Sequence, residues 1–250
     1  MKKIIPVIIL VLTTVDGFSK CASSRLYFWP SKQTVSSNSI FVIDGYATSQ
    51  KIIIGLGTTY KVYLKSADEK IKLNVQELLV GQYNLTQAVL KPEKILAVGK
   101  EYELVIENLG DLESQVTRYN DSTKQKEKIK WTASNFIDTV SPNWTSKPEF
   151  TSSSYDMYGC GPATFANFTF AATDNSEFLI KTTVKNKSTG KETTFYLQAV
   201  DQLISVGHGM CAGAFDFQDG DKFEVAFSLF DASGNITHWT GDKLEFKRPT

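Results

Sequence analysis

Two cysteines and two histidines carry the most reactive chemistry in this 250-residue chain. Cys160 lies in Tyr158-Gly159-Cys160-Gly161-Pro162, and Cys211 in Gly207-His208-Gly209-Met210-Cys211-Ala212-Gly213. Both are glycine-rich segments without a strand pattern. In an oxidising compartment two such cysteines pair, and closing a loop of about 52 residues is worth about 4 kcal/mol in the chain-entropy view. His208 and Cys211 also have the H-x-x-C spacing of a ligand pair. With Cys160 and His238 they would complete a tetrahedral zinc set, or supply a Cys-His nucleophile. Nothing in the sequence brings His238 to the other three, and no hydrolase signature surrounds either cysteine. A disulfide would also consume both thiolates. The expectation is therefore a Cys160–Cys211 bridge, no metal, no cofactor, and a His208 held by backbone hydrogen bonding in its loop.

The remaining candidates are carboxylates and aromatic rings. Asp216, Asp219 and Asp221 could offer oxygens to calcium, but their spacing matches no diagnostic loop, and Asp with Gly220 is what a turn before Phe223 requires. Trp144, Tyr155 and Tyr158 fall in Thr139 to Gly161, which reads as a long irregular stretch, and Trp239 lies near the C-terminus. Loops of that length are usually functional. Their rings either fold back to cap a β-sandwich or stand out to bind a protein or carbohydrate. The candidate binding residues are thus Trp144, Tyr155, Tyr158, His208 and Trp239.

Composition limits the partners. Lys+Arg and Asp+Glu are both 27, so there is no net field to recruit nucleic acid or an anionic membrane. The N-terminus sets the compartment. Met1-Lys2-Lys3 is positive, Ile4 to Leu12 almost wholly apolar, and Thr13 to Ser19 small and polar, the order of a cleaved secretory signal peptide. That apolar run is far shorter than the roughly 20 residues a bilayer span needs, so no transmembrane segment is expected. Cys21 followed by Ala22-Ser23-Ser24 suggests a lipid-anchored N-terminus. However, Lys20 stands where a lipobox places a small residue, so an unlipidated or removed Cys21 is the plainer reading.

The elements that must position these residues read as strands. Phe223, Val225, Phe227 and Leu229 alternate with Glu224, Ala226 and Ser228, and the run ends in Asp231-Ala232-Ser233-Gly234-Asn235, a strand entering a tight turn. Short period-2 segments recur upstream: Leu26 to Trp29, Ile40 to Ile43, Lys51 to Leu56, Tyr60 to Leu64, Ile71 to Val75, Val89 to Leu90 and Tyr102 to Ile106. Val75 to Val80 is compatible with a short helical turn, and nothing longer than two turns has a 3.6 period. Lys124, Lys126, Lys128 and Lys130 with Glu127 read as a solvated linker or a protected edge strand.

Leu96-Ala97-Val98-Gly99-Lys100-Glu101-Tyr102, with Pro92 upstream, resembles the L-x-x-G-x-x-Y entry to the penultimate strand of bacterial Ig-like and fibronectin III-like sandwiches. The resemblance implies that the Tyr102 hydroxyl ties back to upstream backbone. Asp219 to Asn235 resembles the same strand and turn, with Phe223 where Tyr is usual. The implied fold is all-β, two tandem Ig-like β-sandwich domains after the signal peptide. The expected boundaries are 1–20 signal peptide, 21–118 first sandwich, 119–130 lysine-rich linker or edge segment, and 131–250 second sandwich with disulfide-stapled loops. Such folds serve many purposes. The reading favoured is an exported, non-enzymatic binding or structural module for an extracellular or cell-surface protein or carbohydrate, in the periplasm, at the surface or secreted. The alternative is a secreted hydrolase or metalloenzyme with its site on loops around His208, Cys160, Asp216 and His238.

Overall fold

The computed structural model describes residues 24–250, so the signal-peptide and Cys21 expectations lie outside the described residues. The first lobe contains β1 (Arg25–Trp29), β2 (Thr34–Val35), β3 (Phe41–Tyr46), a short helix α1 (Gln50–Ile54), β4 (Val62–Lys65), β5 (Lys70–Val80), β6 (Leu85–Pro92), β7 (Glu101–Ile106), β8 (Thr117–Asn120), β9 (Gln125–Lys128) and β10 (Lys130–Ala133). The second contains β11 (Asn143–Tyr158), β12 (Gly161–Thr173), β13 (Phe178–Asn186), β14 (Glu192–Leu197), β15 (Leu203–His208), β16 (Lys222–Asp231), β17 (Ile236–His238) and β18 (Leu244–Lys247). The all-β sandwich class read from the sequence holds.

In the first lobe one continuous sheet runs β1-β3-β6-β5-β4-β7-β10-β2. It folds over on itself at β5, where a bulge between Val75 and Glu77 lets the strand pair with β4 at one end and β6 at the other. Phe41, Ile43, Leu64, Ile71, Tyr102 and Trp131 fill the space between the two halves. The Tyr102 hydroxyl accepts the Ala97 N–H at 2.9 Å and donates to Glu69 at 2.6 Å, the backbone tie implied by the L-x-x-G-x-x-Y resemblance. In the second lobe a β11-β12-β15 sheet faces a β14-β13-β16-β17 sheet, with β18 also paired to β16. Phe223, Val225, Phe227 and Leu229 all enter this second core, as their alternation requires. The turn after them is closed by Asp231 Oδ1, which accepts the Ser233 and Asn235 N–H groups at 2.8 Å each, with Gly234 at φ +88°.

Four local expectations change. Lys51 to Leu56 begins with α1, because Ile52, Ile53 and Leu56 all bury on one side at near-helical spacing. Val75 to Val80 is the second half of β5 and not a helical turn. The stretch from Thr139 to Gly161 is mostly β11, a 16-residue strand. Residues 119–130 carry the β8–β9 hairpin, and Trp131 in β10 packs into the first core, so the connection between lobes begins after Ala133.

Strand β6 is buried on both faces, and its alternation explains how the lobes join. Ala88 and Leu90 point into the first core, whereas Leu85 enters the second core and Val89 a third, shared cluster. That cluster sets Trp29, Ile40, Val42 and Val89 against Leu179, Tyr196, Phe230 and Ala232. The outer face of one sandwich therefore packs on the outer face of the other, and the two lobes stack as successive β layers. At its centre the buried Gln87 acts as a strand edge: its Nε2 donates to the Tyr196 carbonyl at 3.0 Å, and its Oε1 accepts the Tyr196 N–H at 2.9 Å. Gln87 Nε2 also donates to Asp44 Oδ1 at 2.8 Å. Around it, Glu77 accepts from the Tyr196 hydroxyl at 2.7 Å and pairs with Lys181 at 3.0 Å, and Glu177 accepts the Ser31 N–H at 2.9 Å.

Two outcomes follow from this junction. Gln87→Leu strands the Tyr196 N–H and C=O in an apolar contact, and chemical denaturation should show a loss of about 2–4 kcal/mol. Burial beside Trp29 and Tyr196 pushes the Asp44 carboxyl up to about 7 against the pull of Gln87. The unfolded chain titrates it near 4, so its contribution favours the fold at low pH and is lost as pH rises from about 4 to about 7. Asp44→Asn keeps the acceptor for Gln87 and should flatten that slope in denaturation midpoints measured across this range; an unchanged slope would assign it to other groups.

Candidate functional site

Two regions hold the residues singled out from the sequence. The first is the loop after β15. His208 is 2% exposed, its Nδ1 lies 2.8 Å from the Gly209 carbonyl, and its ring lies tilted against Tyr83 of the first lobe with centroids 4.7 Å apart. Its Nε2 has no hydrogen-bond partner among the described residues and sits 3.8 Å from Asp216 Oδ1. The loop itself is clamped by the β5–β6 turn. Gln82 donates its N–H to the Ala214 carbonyl at 2.9 Å, and Gly213 donates to the Tyr83 carbonyl at 2.7 Å. Asp216 donates its N–H to Gln82 Oε1 at 2.7 Å. A Cβ on Gly213 would meet the His208 Cβ at 2.3 Å, so the glycine is what lets the two strands of the loop close on one another. His208 is therefore part of the lobe junction, held by the backbone bond expected of it.

The other members of the proposed reactive set are elsewhere. His238 is on β17, in the opposite sheet, with its Nδ1 2.9 Å from Ser228 Oγ. Asp216 closes a turn by accepting the Gln218 N–H at 3.0 Å, and Asp219 accepts Asn186 Nδ2 through its carbonyl. Among the described residues His208, His238 and Cys160 do not gather into a ligand cluster. Cys160 lies in the β11–β12 turn close to the Cys211 loop: a Cβ on neighbouring Gly161 would stand 3.7 Å from the Met210 carbonyl. The expected Cys160–Cys211 bridge is nevertheless not seen among the described residues, although Cys211 is itself disulfide-bonded.

The second region is the β11–β12 hairpin. β11 is the outermost strand of its sheet and is exposed along most of its length. Its first half is broken by register shifts around Ser146, Glu149 and Ser152, and carries Lys147 and Pro148, devices that discourage further pairing. Its second half, Ser152 to Tyr158, pairs with β12 without interruption. Tyr155 is 41% exposed, Met157 66% and Tyr158 52%, with Phe150 at 43% nearby. Trp144 behaves differently: it turns inward between Phe170 and Trp239, with ring centroids 5.8 and 5.9 Å away, so the two tryptophans cap the second core. Phe150 and Met157 escape a reading that treats the segment as a loop. The cue for them is Tyr155-Asp156-Met157 itself, apolar and polar side chains alternating as on a strand.

The charged surface is largely self-satisfied. A groove of about 480 Å³ along β7 and β10 is lined by Lys70, Glu101, Glu103, Glu107, Lys128 and Lys130. Lys128 pairs with Glu103 and Lys130 with Glu101, each at 2.7 Å, and Lys70 pairs with Glu107. Lys124 and Lys126 thus lie in the exposed β8–β9 hairpin, while Lys128 and Lys130 pair with carboxylates of β7. No helix among the described residues is long and apolar enough to cross a membrane.

No protein-family model and no curated protein matches the sequence. Among solved structures the chain is similar to a pullulanase from Anoxybacillus sp. LM18-11, at 8% identity and a TM-score of 0.25, covering 84% of this chain and 24% of that one. It is similar to the N-terminal part of the bacterial S-layer protein SbsC at 11% identity and a TM-score of 0.25, covering 90% and 44%. It is similar to the tandem Ig repeats of Dlar at 11% identity and a TM-score of 0.25, covering 89% and 97%. The chain spans about a quarter of the pullulanase, and likeness at this level identifies neither family nor activity.

The Cys211 loop is tied to the β5–β6 turn, where Asn84 Nδ2 donates to the Cys211 carbonyl at 3.2 Å. Because Cys211 is disulfide-bonded, its peptide in a non-reducing map of the mature protein is expected to shift on reduction; a Cys211 peptide unchanged by reduction would contradict it.

Proposed function

We propose that this is an exported, non-catalytic binding module whose two Ig-like lobes hold the β11–β12 hairpin out to an extracellular or cell-surface protein. The observation that carries the reading is the second half of β11: a regular, outermost strand with unshielded backbone groups, flanked by exposed Tyr155, Met157 and Tyr158. An extended segment of a partner adds to such an edge through main-chain hydrogen bonds, with the aromatic and methionine side chains supplying contact area. Tyr residues are well suited to this, since they bring large amphipathic surface with few rotamers to freeze. Export is supported by the charge and hydropathy order of the first nineteen residues. The Ig-like assignment of the first lobe is supported by the Tyr102 hydroxyl tie.

The hydrolase or metalloenzyme alternative needs several polar groups converging on one pocket. It is disfavoured by the separation of His238 from His208 and by the packing of His208 inside the lobe junction. The binding reading is tested by placing a photo-crosslinking amino acid at Met157 and, as control, at the exposed Lys61, then irradiating the protein on its host's cell surface. A discrete protein adduct from position 157 alone, lost when Tyr155→Lys is added, is the expected result. Equal labelling from both positions, or none from 157, would remove β11 as the binding edge.

A further inference from the structure

Three carboxylates that no sequence pattern groups meet where the two lobes join. Asp138 lies in the connection between β10 and β11, Asp174 in the β12–β13 turn, and Asp231 at the end of β16. One oxygen from each lies within 4.8 Å of the others. Asp138 and Asp231 are completely buried, and Asp174 is half-buried. Each is fixed by its own turn. Asp138 Oδ1 accepts the Val140 N–H at 3.1 Å, and Asp174 Oδ2 accepts the Ser176 N–H at 3.0 Å and its hydroxyl at 2.7 Å. Asp231 Oδ2 accepts Asn235 Nδ2 at 2.8 Å.

These bonds explain the turns but leave two things unexplained. Asp138 Oδ2 is buried with no hydrogen-bond partner, although a buried carboxylate oxygen ordinarily has one. In addition, none of the ion pairs among the described residues reaches any of the three aspartates. Neighbouring carboxylates at this separation cannot all ionise without a counter-charge. We propose that Asp138, Asp174 and Asp231 bind a calcium ion at the junction of the two lobes. The donor set is all oxygen and comes from irregular turns, which suits a hard cation of flexible geometry. A Ca–O distance of about 2.4 Å places two ligands of one ion up to about 4.8 Å apart. Asn38 of the first lobe grips Asp138 by both backbone groups, at 2.7 and 3.0 Å, so ion binding reaches across the junction.

The test uses the mature protein stripped with EDTA, then titrated with Ca2+ by calorimetry and by thermal unfolding. One ion per chain with a Kd of about 0.1–1 mM is expected, and 5 mM Ca2+ should raise the unfolding midpoint by a few degrees. Asp174→Asn, which keeps the acceptor for Ser176, should weaken binding at least tenfold. Asp138→Asn should cross over, more stable than the native chain in EDTA because a charge is gone and less responsive in Ca2+. No binding up to 5 mM, or a Ca2+ response retained in full by both variants, would overturn the site.

Discussion

The structure depends on one strand having no outer face. Residues of β6 alternate between a core of the first lobe and a surface of the second, so Leu85, Gln87 and Val89 need a partner layer as much as Ala88 and Leu90 do. A free first lobe would expose Trp29, Ile40, Val42 and Val89 as one apolar patch, and the second would expose Leu179, Tyr196 and Phe230. Patches of this kind on a solved surface mark contact sites. Here they cover each other. Gln87 supplies the polar counterpart by pairing with both backbone groups of Tyr196 inside the contact, which leaves one register between the sheets.

That arrangement changes what the lobes are for. A spacer carrying a separate recognition domain would flex about the connection that begins after Ala133. Face-to-face stacking fixes the β11–β12 hairpin relative to the first lobe, and the β5–β6 turn braces the His208 loop beneath it. The proposed partner edge is thereby presented on a rigid support, which reduces the ordering cost of binding. The three aspartates at the opposite connection between lobes make the same junction a place where an ion could set the stiffness of the whole body.

Strands with one buried face were legible in the sequence, because alternation is visible when every second residue is polar. β16 and β7 are of this kind, and the Tyr102 tie came with its motif. Only Val89 and Leu90 of β6 read as a strand, since a strand buried on both faces has no alternation to read and Gln87 looks like a surface residue. Ile52, Ile53 and Ile54 are β-branched and favour a strand over α1, and tertiary burial overrides that preference. β11 reads as irregular because serine and threonine are frequent in it and Pro148 interrupts its first half, features of an outermost strand. Nothing in the sequence brings His238 to the His208 loop, and the β16–β17 turn places it in the other sheet. Asp138, Asp174 and Asp231 are far apart in the chain; the pairing of β13 with β16 brings the last two together, and the connection from the first lobe adds Asp138.

The central claim is that the two sandwiches form one body. Hydrogen exchange measured by mass spectrometry across a urea titration reads the protection of β7 in the first lobe and β12 in the second within the same molecules. Both should lose protection at one urea midpoint, because neither lobe keeps its middle sheet covered without the other. Two well-separated midpoints, with one lobe fully protected while the other exchanges, would contradict it.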